Sequence, residues 1–235
     1  MKLFTLPNLL TCLNLTCGVL AIICFCTSKQ EAAPILVAIS LVADFLDGFV
    51  ARALKINSPI GKELDSLADV VTFGVFPGVV MLYLLAETYP SGDFFKLKEI
   101  PTLAFWAILW IPSFSALRLA KFNLDERQSD CFFGLNTPAN TIFVLSLWLV
   151  HHFRPEYLPK ENAIAFWGLF ALTPILAFLL VSELKLLAFK FKNLSWQDNK
   201  YRFLVLIVGG MLIASLGLLG IPLAVVAYIL ISLLA

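Results

Sequence analysis

Residues 33–86 read APILVAISLVADFLDGFVARALKINSPIGKELDSLADVVTFGVFPGVVMLYLLA. Two apolar runs, Ala33–Ala53 and Ala68–Ala86, flank a short polar stretch, and four aspartates, Asp44, Asp47, Asp65 and Asp69, sit in or beside them. A hydrocarbon core of about 30 Å is crossed by roughly 20 apolar residues of helix, so each run is long enough to span a bilayer. Similar runs recur along the chain at Leu9–Thr27, Thr102–Ala120, Thr137–Phe153, Ala163–Glu183, Phe203–Leu218 and Gly220–Leu234. The pattern predicts an all-α polytopic membrane bundle of about eight transmembrane helices. The last two runs, about 203–235, meet at Gly217–Gly220 with Pro222 suited to a first helical turn, and read as a tight helical hairpin.

The whole composition agrees. Of 235 residues, 60% are hydrophobic and 14% charged, with a mean hydropathy of +0.90, against about 45–50% apolar and about 25% charged in soluble domains. An ordinary cytosolic enzyme, a disordered chain, a nucleic-acid binder and a disulfide-stapled secreted domain are excluded. Four of the five cysteines, Cys12, Cys17, Cys24 and Cys26, lie in the first apolar run and read as packing residues; Cys131 stands apart. The longest polar segments, Glu87–Pro101 and Lys185–Arg202, are too short for a core of their own, so residues 1–235 read as a single membrane domain. Lys185–Arg202 interleaves Lys with Phe189, Phe191, Trp196 and Tyr201, which fits an amphipathic surface segment as well as a plain basic loop.

The net charge of +1 names no partner, but the placement of the charges orients the bundle, because short cytoplasmic loops are enriched in Lys and Arg. With the N-terminus inside, the cytoplasmic side carries Lys2, Arg52, Lys55, Lys62, Arg118, Lys121, Arg127, Lys185, Lys190, Lys192, Lys200 and Arg202, and the outer side only Lys29, Lys96, Lys98, Arg154 and Lys160. Both termini are therefore expected to be cytoplasmic. His151 and His152 are adjacent, point about 100° apart on a helix, and read as a solvated outer boundary rather than a metal pair.

The chemistry must lie with the acids, since intramembrane carboxylates are costly. From Asp44 the offsets to Asp47, Gly48, Ala51 and Arg52 are 3, 4, 7 and 8, one helical face. Gly61, Asp65 and Asp69 share a face of the next helix. Four like charges in a partly dry site require neutralisation by protons or cations, and carboxylate oxygens are hard ligands that favour magnesium, calcium or manganese over zinc. A pair of such ions suits phosphoryl chemistry. Gly48 and Ala51 clear a strip of helix surface for a ligand, and Arg52 offers a planar fork for phosphate. Asn8, Thr11 and Asn14 form a polar stripe on the first span that suits either pyrophosphate binding or interhelical hydrogen bonding.

The pattern Asp44-x2-Asp47-Gly48-x2-Ala51-Arg52-x8-Gly61-x3-Asp65-x3-Asp69 resembles, at every fixed position, the signature of the CDP-alcohol phosphotransferase family. That resemblance implies a membrane bundle, usually a homodimer, with its site open to the cytoplasm. It implies that Asp44, Asp47 and Asp65 bind divalent metal, Mg2+ or Mn2+ and two ions, that Asp69 both helps to bind metal and acts as the base, and that Gly48, Ala51, Arg52 and Gly61 contact the CDP group, with Ser58 a further candidate by position. The stretches Pro7–Asn14, Arg118–Asn123 (RLAKFN) and Phe132–Asn140 (FFGLNTPAN) resemble a branch of the family, the membrane-embedded phosphatidylserine synthases of prokaryotes, in which Pro is common where Asn136 stands.

The branch implies CDP-diacylglycerol and L-serine as substrates. Serine is a zwitterion, so its pocket needs a cation and a hydrogen-bond acceptor. Arg118 and Lys121 supply the first and Asn123 or Asn136 the second, though each cation reads equally as a topology anchor. Three other readings remain: a sibling transferase that uses glycerol 3-phosphate or inositol; a membrane cation transporter, which predicts acids near mid-membrane and internal repeats; and a non-catalytic lipid-binding scaffold.

Overall fold

The computed structural model describes residues 3–56, 58–89, 105–125, 131–189 and 195–235, with backbone alone at 105–108 and 131. Nine α-helices are described: α1 (Leu6–Cys26), α2 (Ala33–Ala53), α3 (Pro59–Asp69), α4 (Phe76–Thr88), α5 (Phe105–Leu124), α6 (Thr137–Phe153), α7 (Ala163–Val181), α8 (Trp196–Leu216) and α9 (Gly220–Leu233). Among the described residues five helical stretches are long and apolar enough to cross a membrane: Leu6–Cys26, Gln30–Ala53, Pro59–Thr88, Ala163–Val181 and Trp196–Leu233. The protein is an all-α, polytopic integral membrane protein. Of the predicted runs, the start of Thr102–Ala120 lies outside the described residues, as do Lys2, Lys96, Lys98, Arg127, Lys190, Phe191 and Lys192.

The starts of α3, α6 and α7 share one local recipe, a side-chain cap followed by proline or a small residue. Ser58 accepts a hydrogen bond from the Gly61 amide at 3.3 Å ahead of Pro59, Asn136 accepts from Ala139 at 2.7 Å ahead of Pro138, and Asn162 accepts from Ala165 at 3.0 Å. Each cap satisfies a donor that the first turn leaves open, which matters more where water is scarce.

The third predicted span starts earlier than its apolar run. The helix begins at Pro59, not Ala68, and runs on to Thr88 through a π-helical segment at Val70–Val75. The wider turn ends just before Pro77, which lacks an N–H and would clash with the carbonyl four residues back in an unbroken α-helix. The segment also packs close to α1: a Cβ on Gly18 would fall 2.1 Å from the Thr72 hydroxyl oxygen.

Helix α4 forms the centre of the bundle. Phe76 through Leu85 are all buried, packed against α1, α5, α6 and α7. Phe25 of α1 meets Phe76, Tyr83 and Trp148 edge to face, with centroids 5.4–5.6 Å apart. Large apolar side chains on α1, α2, α7, α8 and α9 face outward, as lipid contact requires. Helices α8 and α9 form the expected hairpin: Gly209 faces Ala224 and Gly220 lies against the Leu212 backbone, a pairing possible only for antiparallel helices. Gly217 makes the turn at φ 58°.

One element departs from the expected surface segment. Lys185–Leu187 is strand β2, paired antiparallel with β1 (Cys131–Phe133), with Leu186 buried and opposite Phe132. The Leu187 carbonyl accepts from the Tyr228 hydroxyl at 3.0 Å, and the Ala188 carbonyl from Arg202 Nε at 2.8 Å. Lys185–Ala188 is thus tied to α8 and α9.

Candidate active site

The C-terminal half of α2, helix α3 and the first half of α1 meet in one half of the bundle. There Asp44, Asp47 and Asp65 bring carboxylate oxygens within 4.8 Å of one another. Asp47 is buried, the other two half-buried. Asp69 is buried one turn beyond Asp65 and faces Asp44. The structure therefore resolves the four acids into a cluster of three and a deeper fourth. A three-carboxylate set, one of whose buried oxygens (Asp65 Oδ1) has no hydrogen-bond partner among the described residues, fits a hard divalent cation.

The polar stripe of α1 serves these acids. The Thr11 hydroxyl donates to Asp47 Oδ2 at 2.5 Å, and Asn14 Nδ2 donates to Asp69 Oδ1 at 3.2 Å. Hydrogen bonds to ionised acceptors are worth about 1.5–3 kcal/mol each, so α1 fixes the orientation of both carboxylates. The Asn14 carbonyl accepts from Ser40 and Thr72, which binds α1 to α2 and to the π-helical segment at the same level. Asn8 gives its amide to the Leu3 carbonyl at 2.8 Å and turns its oxygen toward Gly61.

Beside the acids opens a cleft of about 490 Å3, lined by Asn8, Thr11, Asp47, Gly48, Ala51, Arg52, Ser58, Gly61 and Asp65, together with Pro7, Lys55, Ile56 and Lys62. Gly48 is where the Arg52 guanidinium folds back: an added Cβ would lie 3.3 Å from Arg52 Nη1. At Gly61 it would lie 3.2 Å from Asn8 Oδ1. The two glycines keep the cleft floor open.

A family model described as CDP-alcohol phosphatidyltransferase matches residues 4–178. The chain belongs to this family. Among its relatives, a Helicobacter pylori (strain J99) protein named CDP-diacylglycerol--serine O-phosphatidyltransferase is 33% identical over 207 residues, 87% of this chain and 80% of that protein. A Bacillus subtilis (strain 168) protein of the same name is 32% identical over 185 residues, 79% of this chain and 91% of that one. One from Mycobacterium leprae is 36% identical over 150 residues, 60% of this chain but 46% of its own length, so the match spans less than half of that relative.

Two cations of the cleft lie outside the signature: Lys55 and Lys62 join Arg52 along its wall. Lys55 sits at φ 54° after α2, where the Ile56 amide bonds the Ala51 carbonyl at 2.9 Å and the Lys55 amide bonds the Arg52 carbonyl at 3.2 Å. Glycine is usual at that position of such a helix end, and a lysine there is the one local signal that marked it. The proposed acceptor residues separate. Asn123 donates to Ser66 at 2.7 Å and its carbonyl accepts from Lys62 at 2.7 Å, joining α5 to α3. Asn136 caps α6, and Lys121 pairs with Glu183. Arg118 is buried, interacts electrostatically with Asp69, and has the Phe122 ring 5.7 Å from its guanidinium carbon. His151 and His152 lie at the opposite end; His151 is buried rather than solvated, with Nδ1 2.8 Å from the Leu158 carbonyl.

Proposed function

We propose that this protein transfers the phosphatidyl group of CDP-diacylglycerol to the hydroxyl of L-serine, giving phosphatidylserine and CMP, as a homodimer in the cytoplasmic membrane of a prokaryote. The observation that carries the reading is the juxtaposition of the Asp44–Asp47–Asp65 cluster with a cation-lined cleft in a member of this family. The relatives' names support serine as the acceptor. Cytoplasmic orientation of the site is supported by charge: Arg52, Lys55, Lys62, Arg118, Lys121, Lys185 and Arg202 cluster at the acid-bearing end, and Lys29, Arg154 and Lys160 at the other. The cation-lined cleft beside the acids, and a second half of the sequence that does not repeat the acidic pair, favour an enzyme over a transporter. The chain acts as one domain, its C-terminal hairpin joined to the rest through Tyr228 and β2.

In this mechanism the diacylglycerol tails stay in lipid while the nucleotide lies along Gly48 and Ala51, and Arg52 with Lys55 faces the pyrophosphate. Asn8, Ser58 and Gly61 form the facing wall. Asp44, Asp47 and Asp65, with Asp69, would hold two divalent ions, Mg2+ or Mn2+; when bound, these neutralise and polarise the pyrophosphate. Asp69, oriented by Asn14, takes the proton of the serine hydroxyl, whose oxygen attacks the phosphorus bearing the diacylglycerol and expels CMP. A general base of this kind contributes about 10² to 10⁴-fold. The test is CMP release by the purified protein given CDP-diacylglycerol, Mn2+ or Mg2+ and an acceptor panel. Release with serine is expected; release only with glycerol 3-phosphate or inositol would assign a sibling reaction.

A further inference from the structure

The C-terminal hairpin lies beyond residue 178, where the match to the family model ends, and it holds the ribbon of β1 and β2 in place. On α9, Tyr228 and Ser232 are one turn apart and both buried. Together they take up both backbone groups of one residue of β2. The Tyr228 hydroxyl donates to the Leu187 carbonyl at 3.0 Å, and the Leu187 amide donates to Ser232 Oγ at 3.3 Å. The Phe189 ring stacks on Tyr228 with centroids 5.7 Å apart, and Arg202 of α8 donates to the Ala188 carbonyl. A ribbon of two strands with three residues each is not stable alone, and an uncovered strand edge leaves backbone donors and acceptors open. The hairpin supplies the partners that the outer edge of β2 lacks, and so it fixes where the ribbon lies.

The other strand carries this placement toward the acids. Phe132 of β1, opposite Leu186 in the ribbon, meets Phe122 of α5 with ring centroids 6.3 Å apart. The Arg118 guanidinium carbon lies 5.7 Å from that same Phe122 ring. Arg118 is the one buried Lys or Arg among the described residues. It forms no ion pair within 4.0 Å and no hydrogen bond at Nε with any described residue. Its position therefore depends on what it packs against. Its charge interacts with Asp69 and with Tyr228. Away from water such a charge acts strongly on its neighbours, so a displaced Arg118 changes the field at the proposed base.

We propose that Tyr228 is a positioning residue for the phosphatidyl transfer: by its hold on Leu187, and through the ribbon and Phe122 in turn, the C-terminal hairpin sets the Arg118 guanidinium relative to Asp69. The proposal rests on the reading of the chain as a transferase with Asp69 at the reacting centre. It gives the hairpin a part in the reaction beyond anchoring the chain in lipid. Helix α9 packs on α6, α8 and β2, whereas α1, α2 and α3 line the cleft. Loss of the Tyr228 hydroxyl should therefore slow the transfer step and leave CDP-diacylglycerol binding in place.

The experiment uses full-length protein in lipid nanodiscs with Mn2+, CDP-diacylglycerol and the acceptor that releases CMP. It measures kcat and the CDP-diacylglycerol KM in Tyr228→Phe, in Arg118→Lys and in the double variant. Tyr228→Phe removes one hydroxyl and keeps the ring on Phe189. Its kcat should fall about 3- to 10-fold, the value of one hydrogen bond, with KM within about twofold of wild type. In the Arg118→Lys background the same change should cost less than about twofold, because the effects of residues that act through one another do not add. Ser232→Ala releases the Leu187 amide and should lower kcat without moving KM; it carries the test if Tyr228→Phe fails to fold or Arg118→Lys has no turnover. An unchanged kcat, a KM that rises as kcat falls, or equal losses in the two backgrounds would overturn the positioning role and leave the transferase reading standing. Wild-type protein that releases no CMP with any acceptor would overturn the transferase reading and this role with it.

Discussion

The two ends of this bundle handle acidic groups in opposite ways. At the end that holds His151, Glu87 is neutralised: Lys160 Nζ lies 2.6 Å and His151 Nε2 3.9 Å from its carboxylate, while its backbone carbonyl accepts from the Glu161 amide at 2.9 Å. His152 likewise lies 3.3 Å from Glu31. At the other end Asp44, Asp47, Asp65 and Asp69 face one another and form no ion pair within 4.0 Å among the described residues. Arg52, Lys55 and Lys62 line the cleft beside the cluster, and Arg118 interacts electrostatically with Asp69. Acids that serve only stability are paired within the fold; acids left facing one another are kept for something that binds.

The largest way to break this contrast is to remove single acids from the cluster. Asp69→Asn should lower kcat by about 10² to 10⁴-fold, the contribution of a general base, while the nucleotide still binds. Asp44→Asn should cost at least as much activity, yet raise the apparent Tm of the metal-free protein, because it relieves repulsion among facing carboxylates. Wild-type turnover in Asp69→Asn would remove it as the base. A lowered metal-free Tm in Asp44→Asn would mean that the cluster is a structural one like that around Glu87.

Metal addition sharpens the same point. Adding Mn2+ or Mg2+ to chelator-stripped protein should raise Tm by several degrees, as expected for about 2.7 kcal/mol at a hundredfold excess over Kd. The rise should vanish in Asp44→Asn and persist in Glu87→Gln. Glu87→Gln itself should lower Tm by about 2–4 °C, since Lys160 is exposed and an exposed pair is worth at most about 1 kcal/mol, and should leave kcat/KM unchanged. An unchanged Tm on metal addition to wild type would argue against a metal site at the acids.

Much of this contrast was legible in the sequence, and the remainder shows what periodicity leaves out. The helix runs and the face shared by Asp44, Asp47, Gly48, Ala51 and Arg52 follow from 3.6-residue spacing, and the structure lines the cleft with four of these five. The family signature names the same residues. Tertiary choices were not legible: the π-helical segment before Pro77, and the pairing of Cys131–Phe133 with Lys185–Leu187, three residues each and some fifty apart in sequence. In Lys185–Arg202 the strand takes up only Lys185–Leu187, ahead of the aromatic residues on which the amphipathic reading rests, and Trp196 and Tyr201 lie in α8.

The smallest effect concerns two residues that share a backbone conformation at opposite ends. Lys55 has φ 54° and Glu161 φ 48°, a region that costs a residue with a Cβ about 1–2 kcal/mol. Glycine removes that strain but loses more entropy on folding, so each Gly variant should stay within about 2 °C of wild type in Tm or slightly above it. Glu161 turns the chain so that its amide reaches Glu87, and Glu161→Gly should leave both substrate KM values unmoved. Lys55 turns the chain so that its side chain reaches the cleft, and Lys55→Gly should raise the KM for CDP-diacylglycerol by about 2- to 10-fold, the value of one exposed charge-assisted contact. Equal kinetics in the two variants would reduce Lys55 to a helix terminus. A KM change confined to Lys55→Gly would show that the acid-bearing end spends conformational strain on ligand binding while the opposite end uses the same strain only to close a turn.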